Sequence, residues 1–212
     1  MKTLDEIMLS VRTDKASRYH NYTPVYEHFF EPIRDKEIVL LELGIGDLSS
    51  LNREGQSIDA WRIYFSKGKC YAIDNDIEKV KGREGCYYCD QTDEGKLKML
   101  IEEFSRPDII IDDCSHHKEP TIKSFEILFP LLKSGGLYCI EDVVAPAYWT
   151  GWGGNKYIFT SEFMAYFFDK CHYINLLKQE NFNPPQFIHI PDWIKEIESI
   201  HFHHSQIIIK KK

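Results

Sequence analysis

The chain has no long apolar run and no excess of positive charge. None of its apolar stretches approaches the about 20 residues that span a bilayer, and Met1–Glu6 lacks the apolar core of a signal peptide. The 26 Lys and Arg stand against 33 Asp and Glu, for a net charge of -7. A general nucleic-acid binder needs a basic surface instead. We therefore expect a cytoplasmic protein with neither a nucleic acid nor a membrane as its partner.

Cysteine pairs at the spacing of a zinc site are also lacking. Cys86 and Cys89 have a CxxC spacing, but no second pair or histidine follows at a matching distance. The histidines near the C-terminus, His201, His203 and His204, lie around a predicted turn and are interpreted as solvated. We therefore favour neither zinc nor redox chemistry at these positions.

The length and the apolar pattern predict one α/β domain over residues 1–212. No repeat or low-complexity segment interrupts it, and 212 residues suffice for a three-layer core. Residues 1–36 form a polar, aromatic and helical preface, in which Thr23 is expected to be the N-cap of a helix that begins at Pro24 and runs through Phe30. Residues 37–212 alternate apolar strands with helical segments. The prediction is a doubly wound, mostly parallel sheet of seven strands that ends in an antiparallel hairpin between residues 197 and 211.

The most informative segment is the run from Pro107 to His117. An apolar, β-branched strand, residues 109–111, ends in Asp112 and Asp113, and His116 follows. Such continuous apolar runs are typical of buried parallel strands, and ligands of open α/β sheets bind beyond the carboxyl ends of those strands. Because adjacent carboxylates repel each other, a pair at this edge indicates cation binding or proton transfer. An acidic turn that only caps the next helix is the alternative.

A second strand ends in the same way. Gly135 and Gly136 precede an apolar run that closes with Glu141 and Asp142, and a helix predicted over residues 121–132 separates the two strands. A strand, helix and strand in so short a span predict a right-handed parallel crossover, which brings both acidic pairs to one crevice. Clustered hard oxygen ligands favour magnesium or a similar cation.

Residues after the first three strands indicate a nucleoside site. Gly44 and Gly46 allow a tight turn and close approach of the backbone to a ligand, and Asp74 ends the second strand, where an acid commonly accepts ribose hydroxyls. Asp90 and Gln91 end the third strand. The third glycine of the G-x-G-x-x-G pattern is absent, and the loop from Asp47 to Gln56 moves Asp74 beyond the usual spacing. The glycine pattern alone is weak, and the combination is more specific.

These motifs resemble those of class I S-adenosylmethionine-dependent methyltransferases. The similar segments are Glu42–Gly46, Ser57–Phe65, Tyr71–Asp74 and Cys89–Gln91. The segments Asp112–His116 and Gly135–Asp142 are similar, more narrowly, to the bacterial sugar O-methyltransferases of the macrocin and mycinamicin type. The likeness runs from about Asp14 to Lys210. It implies a Rossmann-like methyltransferase fold, S-adenosylmethionine as cofactor, a magnesium ion, and a small-molecule or glycan substrate.

The resemblance also implies a role for each matching residue. Gly44 and Gly46 would contact the methionine part of the cofactor, Asp74 its ribose, and Asp90 with Gln91 the adenine side. Asp112 is assigned to the cofactor site as well. Two further acids, Asp113 and Asp142, would hold the metal ion that chelates sugar hydroxyls. His116 would be the general base, with His117 as the alternative, because Cys114 replaces the glycine usual in this motif and can shift the turn.

Other functions remain open from the sequence. A nicotinamide-dependent oxidoreductase would need the missing glycine and a second mononucleotide-binding half, and the closing hairpin argues against it. A non-catalytic subunit, an iron-dependent hydroxylase and a methyltransferase for a non-sugar acceptor are further alternatives. The aromatic loop from Pro146 to Tyr157 is expected to bind the acceptor, because Tyr and Trp faces stack on sugar rings. The sequence leaves open whether the chain forms a homo-oligomer.

Overall fold

A seven-stranded mixed sheet lies at the centre of the fold. The computed structural model describes residues 1–46, 56–154, 162–178 and 191–212. The strands are β1 (Val39–Leu43), β2 (Lys69–Asp74), β3 (Cys86–Tyr88), β4 (Ile109–Asp112), β5 (Leu137–Ile140), β6 (Ile197–His203) and β7 (Gln206–Lys211). Their order across the sheet is β3-β2-β1-β4-β5-β7-β6. The first five strands are parallel, while β7 pairs antiparallel with both β5 and β6. The predicted sheet and its C-terminal hairpin are therefore confirmed.

Helices cover both faces of this sheet. They are α1 (Leu4–Val11), α2 (Thr23–Phe30), α3 (Gln56–Tyr64), α4 (Ile77–Val80), α5 (Glu94–Phe104), α6 (Lys118–Leu128), α7 (Val144–Tyr148) and α8 (Glu162–Leu177). Short 3-10 helices lie at Glu31–Ile33, Phe129–Leu131, Thr150–Trp152 and Asp192–Glu196. None of the helices in the described ranges combines the length and the apolar character that crossing a bilayer requires.

Two apolar layers bind the helices to the sheet. On one face Ile7 of α1, Tyr26 of α2 and Trp61 of α3 pack against β-strand residues such as Ile111. The opposite layer joins the other face of the sheet to α5, α6 and α8, with Leu100, Phe125 and Phe167 among its buried members. Because both faces are covered, the central strands are mostly apolar, and β1 and β4 are buried at every position, including the acids Glu42 and Asp112.

The order in which successive strands are added to the sheet reverses between β1 and β4. From β1 it proceeds to β2 and β3 on one side, and it then returns to β4 and β5 on the other. The N–H of Gly44 donates to the carbonyl of Ile73 (2.8 Å), and the N–H of Asp113 donates to that of Leu43 (3.0 Å). Ligands of doubly wound sheets bind at such a point, beyond the carboxyl ends of the strands. The residues that follow β1 and β4 therefore flank the expected site.

Several local predictions differ from the structure. Thr23 is not an N-cap: Tyr22 holds that position, and the hydroxyl of Thr23 donates to Asp5 (2.7 Å). The third strand ends at Tyr88, two residues before Asp90, where we expected its polar end. Part of the segment that we expected to be a loop after the fifth strand is helical, in α7 and in the 3-10 turn at Thr150–Trp152. The polar loop expected over Asp47–Gln56 lies outside the described residues up to position 55.

Candidate active site

A cavity of about 580 Å³ opens at the carboxyl ends of the parallel strands. Five of the predicted cofactor residues line it, namely Gly44, Gly46, Asp74, Asp90 and Gln91. The predicted metal and base residues, Asp113, Asp142 and His116, line the same cavity. Its charged lining comprises five aspartates and one lysine, Lys79, in addition to His116. This excess of negative charge favours a cationic ligand, such as a sulfonium or a divalent metal ion.

The glycine turn is pressed against the end of β4. Gly44 and Gly46 both have φ 93°, a left-handed conformation that side chains with a Cβ rarely adopt. A Cβ on Gly44 would also overlap the carbonyl group of Asp113. Glycine is therefore required at position 44 both for the turn and for the close contact between the ends of β1 and β4.

Asp74 keeps hydrogen-bonding capacity for a ligand although it is buried. Its Oδ2 accepts from the N–H of Ile45 (3.0 Å) and its Oδ1 from the N–H of Asp76 (2.9 Å). The Nζ of Lys79 lies 3.5 Å from Oδ2. Each carboxylate oxygen offers about two acceptor positions, so the side chain can hold the turn after β1 and still accept hydroxyl groups from a ligand in the cavity.

Asp90 and Gln91 are placed differently from each other. Asp90 accepts from the hydroxyl (2.6 Å) and the N–H (2.7 Å) of Thr92, and these bonds hold the pKa of its carboxyl below the ordinary value. Gln91 is buried; its Nε2 donates to Oδ1 of Asp112 (3.4 Å), and its Oε1 accepts from the N–H of Ser115 (3.1 Å). Gln91 therefore fixes the turn that carries His116, in addition to lining the cavity.

Asp112 lies beneath the cavity and is not part of its lining. The hydroxyl groups of Ser124 (2.5 Å) and Tyr138 (3.0 Å) both donate to its Oδ2. Burial raises the pKa of Asp112 to about 6, although these two hydrogen bonds act in the opposite direction. The structure thus gives Asp112 partners in the core, while its assignment to the cofactor site stays a prediction.

Asp113, His116 and Asp142 form a cluster suited to a metal ion. One ligand atom from each lies within 4.8 Å of the other two, and within the described ranges no other group of three His, Cys, Asp or Glu side chains meets this condition. The Nε2 of His116 is 3.7 Å from Oδ1 of Asp113 and 3.7 Å from Oδ2 of Asp142. Two carboxylates and one imidazole fit a divalent cation such as Mg²⁺ or Mn²⁺, with room for water or ligand oxygens.

His116 is better placed than His117 to act on a ligand. His116 lines the cavity, whereas His117 does not. His117 occupies the N-cap position of α6, and its ring stacks on Trp152 with the centroids 5.1 Å apart. The turn after β4 therefore presents His116 to the site despite Cys114, which takes part in the cavity lining itself.

A buried lysine beside the metal cluster was missed by the sequence analysis. The Nζ of Lys15 contacts Oδ2 of Asp113, lies 2.7 Å from Oε2 of Glu141 and is 3.8 Å from Oε1 of Glu42. Burial lowers the pKa of Lys15, but these carboxylates outweigh it and hold the pKa well above the ordinary value. Lys15 is therefore charged. A lone lysine in a polar segment carries no periodic pattern, so no sequence signal indicated this contact.

A second cavity, of about 410 Å³, adjoins the first at the metal cluster. His116, Asp142 and Trp152 line both cavities. The second is bounded further by Tyr22 and Trp149, and Trp149 meets Trp152 edge to face with the ring centroids 5.7 Å apart. The described part of the predicted aromatic loop, up to Gly154, thus lies beside the cluster, as an acceptor-binding wall would require. Residues 155–157 of that loop lie outside the described residues.

Comparisons with known proteins identify related enzymes. No family model matches the chain. It is 36% identical over 155 residues to demethylmacrocin O-methyltransferase of Streptomyces fradiae, a match that covers 72% of this chain and 39% of the relative. It is 36% identical over 148 residues to the 8-demethyl-8-(2-methoxy-alpha-L-rhamnosyl)-tetracenomycin-C 3'-O-methyltransferase of Streptomyces olivaceus, covering 67% and 37%. The mycinamicin VI 2''-O-methyltransferase of Micromonospora griseorubida is 33% identical over 155 residues, covering 71% and 38%.

The fold has a counterpart among solved structures. The MycE methyltransferase from the mycinamycin biosynthetic pathway, in complex with Mg and SAH, superposes with a TM-score of 0.84 at 26% identity. The superposition covers 99% of this chain and 54% of that one. The chain thus spans about half of the solved protein and about two fifths of the curated relatives. By sequence and fold, it belongs to the class I S-adenosylmethionine-dependent methyltransferases and is related to the sugar O-methyltransferases of the macrocin and mycinamicin type.

Proposed function

We propose that this protein is a magnesium-dependent O-methyltransferase that moves a methyl group from S-adenosylmethionine to a sugar hydroxyl of a glycan or glycoside. The observation that carries the proposal is the junction of the two cavities. His116 and Asp142 belong to the walls of both, so a methyl donor in the first cavity and an acceptor in the second would meet at these residues. The solved MycE structures contain Mg and SAH, and one of them also contains mycinamycin VI.

The residues of the first cavity would bind and orient the methyl donor. Gly44 and Gly46 leave space for its methionine part next to the backbone, Asp74 would accept its ribose hydroxyls, and Asp90 with Gln91 would bound the adenine side. Methyl transfer from a sulfonium needs mainly that the acceptor oxygen lies in line behind the methyl carbon. The aspartates of the lining would favour the sulfonium cation over its neutral thioether product.

The residues of the junction would activate the acceptor. A divalent cation bound by Asp113 and Asp142 would lower the pKa of a sugar hydroxyl that it contacts and would leave the ring of His116 free to act as a base. His116 would accept the hydroxyl proton. The acceptor oxygen then forms its bond to the methyl carbon while the carbon–sulfur bond breaks, and its electrons remain on sulfur. Trp149 and Trp152 would hold the sugar ring by stacking.

The proposal also covers the domain organisation of the protein, its cellular location and its biosynthetic role. Residues 1–36 line the cavities through Asp14, His20 and Tyr22, and we therefore treat residues 1–212 as one methyltransferase domain. A cytoplasmic location and a role in polysaccharide or natural-product glycoside biosynthesis belong to the same proposal.

The test is a methyl-transfer assay with labelled S-adenosylmethionine and a panel of nucleotide sugars, rhamnosides and simple phenols. We expect transfer to a sugar hydroxyl in the presence of Mg²⁺, loss of transfer in chelator, and its return when Mg²⁺ is restored. Calorimetry should detect S-adenosylmethionine and not NAD. Transfer to phenols alone would contradict the sugar assignment, and full activity with no metal present would contradict the metal requirement.

A further inference from the structure

The two carboxylates of the metal cluster each have one oxygen engaged by the segment between α1 and α2, residues 13–22. The Nζ of Lys15 contacts Oδ2 of Asp113, and the hydroxyl of Tyr22 donates to Oδ1 of Asp142 (2.5 Å). The opposite oxygens, Oδ1 of Asp113 and Oδ2 of Asp142, are those that lie 3.7 Å from Nε2 of His116. Each carboxylate thus directs one oxygen to the segment and one to the cluster.

The two donors, Lys15 and Tyr22, are more deeply buried than the three residues of the metal cluster. The side chain of Lys15 is 1% exposed and Tyr22 is also 1% exposed, whereas those of Asp113, Asp142 and His116 are 21%, 30% and 20% exposed. The hydroxyl of Tyr22 donates to Asp142 from within the core. Neither donor can turn toward solvent without leaving the core.

The segment that carries the two donors, residues 13–22, is held by hydrogen bonds within itself and to α1. The N–H of Tyr22 donates to the carbonyl of Lys15 (2.9 Å). The carboxylate of Asp5 accepts from the N–H (2.8 Å) and the hydroxyl (2.7 Å) of Ser17 and from the hydroxyl of Thr23 (2.7 Å). The positions of Lys15 and Tyr22 are therefore linked to each other and, through Asp5, to α1.

We propose that Lys15 and Tyr22 are positioning residues that limit Asp113 and Asp142 to one metal-ligating oxygen each and so make the site selective for Mg²⁺ over Ca²⁺. This rests on the metal site of the proposed function. Ca²⁺ accepts six to eight oxygens and bidentate carboxylates, whereas Mg²⁺ requires near-octahedral geometry with few protein ligands. Lys15 also engages Glu141, which keeps a third carboxylate out of the site. Freeing the engaged oxygens therefore adds ligands that Ca²⁺ can use and Mg²⁺ cannot.

The experiment measures the Kd of Mg²⁺ and of Ca²⁺ by calorimetry on the full chain without methyl donor, for the wild type, Tyr22→Phe and Lys15→Met. The readout is the ratio of the two Kd values, because removing the positive charge of Lys15 strengthens the attraction of both cations alike. We expect each variant to shift the ratio toward Ca²⁺ by about tenfold, the lower end of the effect of residues that orient metal ligands.

Two matched variants control for loss of stability. Tyr166→Phe removes a tyrosine hydroxyl that donates to the carboxylate of Glu126 (2.8 Å), and Lys211→Met removes a buried lysine that donates to backbone carbonyls, including that of Leu132 (3.0 Å). Both should leave the ratio unchanged, even where thermal unfolding shifts. If Lys15→Met does not fold, Tyr22→Phe decides, because it removes a single oxygen atom.

The outcomes are distinguishable. Wild-type binding with an unchanged ratio in Tyr22→Phe and in folded Lys15→Met overturns the positioning role and leaves the metal site intact. A wild type that binds neither cation contradicts the metal site of the proposed function, and the selectivity role falls with it. A shifted ratio in the site variants together with an unshifted ratio in the controls supports the inference.

Discussion

His116 and Asp142 follow different strands, share a left-handed backbone conformation and lie side by side. Their φ angles are 53° and 52°, and Nε2 of His116 is 3.7 Å from Oδ2 of Asp142. A residue with a Cβ is rare in this conformation, which costs about 1–2 kcal/mol per residue. Two such residues in one cluster indicate that the turns after β4 and β5 are shaped to direct these side chains, since strained backbone persists where the surrounding structure enforces it.

The backbone strain at His116 can be measured by comparing two substitutions. Ala retains the strain of a Cβ at φ 53°, whereas Gly relieves it and gains freedom in the unfolded chain. We expect the free energy of unfolding of His116→Gly to be about 1 kcal/mol higher than that of His116→Ala, so that the Gly variant is the more stable of the two. At Lys98, in the middle of α5, the order should reverse, because Gly destabilises a helix by about 1 kcal/mol relative to Ala. Denaturant titration measures both pairs, and the same order at the two positions would exclude strain at His116.

Because His116 is assigned as the general base, substitutions at His116 and at its neighbour His117 should affect the rate differently. His116→Ala should lower the rate of methyl transfer by about 10²–10⁴-fold, the usual contribution of a positioned base, with little change in cofactor affinity. His117→Ala should retain most of the rate, because His117 lines neither cavity. Single-turnover kinetics and calorimetry measure the two effects. If only His117→Ala loses the rate, the neighbour is the base; if neither does, no histidine acts as a base here.

Much of the sheet and its chemistry could be predicted because the informative patterns are local. The apolar runs of β4 and β5 and the acids that end them are contiguous in the sequence, and a parallel crossover brings them to one edge. Gly44 and Asp74 likewise mark the ends of β1 and β2. Helix ends were less certain: α6 begins at Lys118, before the apolar residues that predicted a helix from Thr121.

The contacts of residues 13–22 could not be predicted. Lys15 meets Asp113 across 98 positions of sequence, and Tyr22 meets Asp142 across 120. A buried ion pair depends on how the segment before α2 folds over the sheet, which no periodicity encodes. The hydrogen-bond partners of Gln91 and Asp112 could not be predicted for a related reason. Their side chains bond to Ser115, Ser124 and Tyr138 inside the protein, and a sequence shows a polar residue at a strand end without showing which way it points.

Asp74 is expected to contribute directly to binding of the methyl donor. Asp74→Ala removes an acceptor for ligand hydroxyls and also the partner of two backbone N–H groups, so affinity for S-adenosylhomocysteine should fall by about 1.5–3 kcal/mol. Calorimetry on the folded variant measures this loss. Asp59→Ala, at an exposed carboxylate of α3, is the control and should bind as the wild type does. Unchanged affinity in folded Asp74→Ala would remove Asp74 from the cofactor site.

Glu42 should make stability depend on pH in a defined window. Burial raises its pKa to about 7, although Lys15 lowers it, while an unfolded chain has an ordinary Glu pKa of about 4.3. The folded state therefore holds this proton more tightly, and stability from this group decreases as pH rises from about 4 to about 7.

Glu42→Gln removes that titration and can keep hydrogen bonds to Ser57 and Trp61. The unfolding free energy of the wild type minus that of the variant should therefore fall across this pH window and level off above it. Chemical denaturation at several pH values measures the difference, and Glu102→Gln on the exposed face of α5 should give a flat one. A flat difference for Glu42→Gln as well would show that folding leaves the pKa of Glu42 at its ordinary value.

Trp149 is expected to act in acceptor binding and not in the chemical step. It is 55% exposed and lines the second cavity, whereas its neighbour Tyr148 is 37% exposed and does not. An aromatic contact contributes about 0.5–1.5 kcal/mol beyond buried area, so Trp149→Ala should raise the acceptor KM by about threefold to tenfold with kcat nearly unchanged. Trp149→Phe should recover part of the loss, and Tyr148→Ala should resemble the wild type. Steady-state kinetics with a saturating methyl donor measures these values. A fall in kcat at constant KM would instead place Trp149 at the reacting atoms, and an equal effect of Tyr148→Ala would assign the change to disruption of α7.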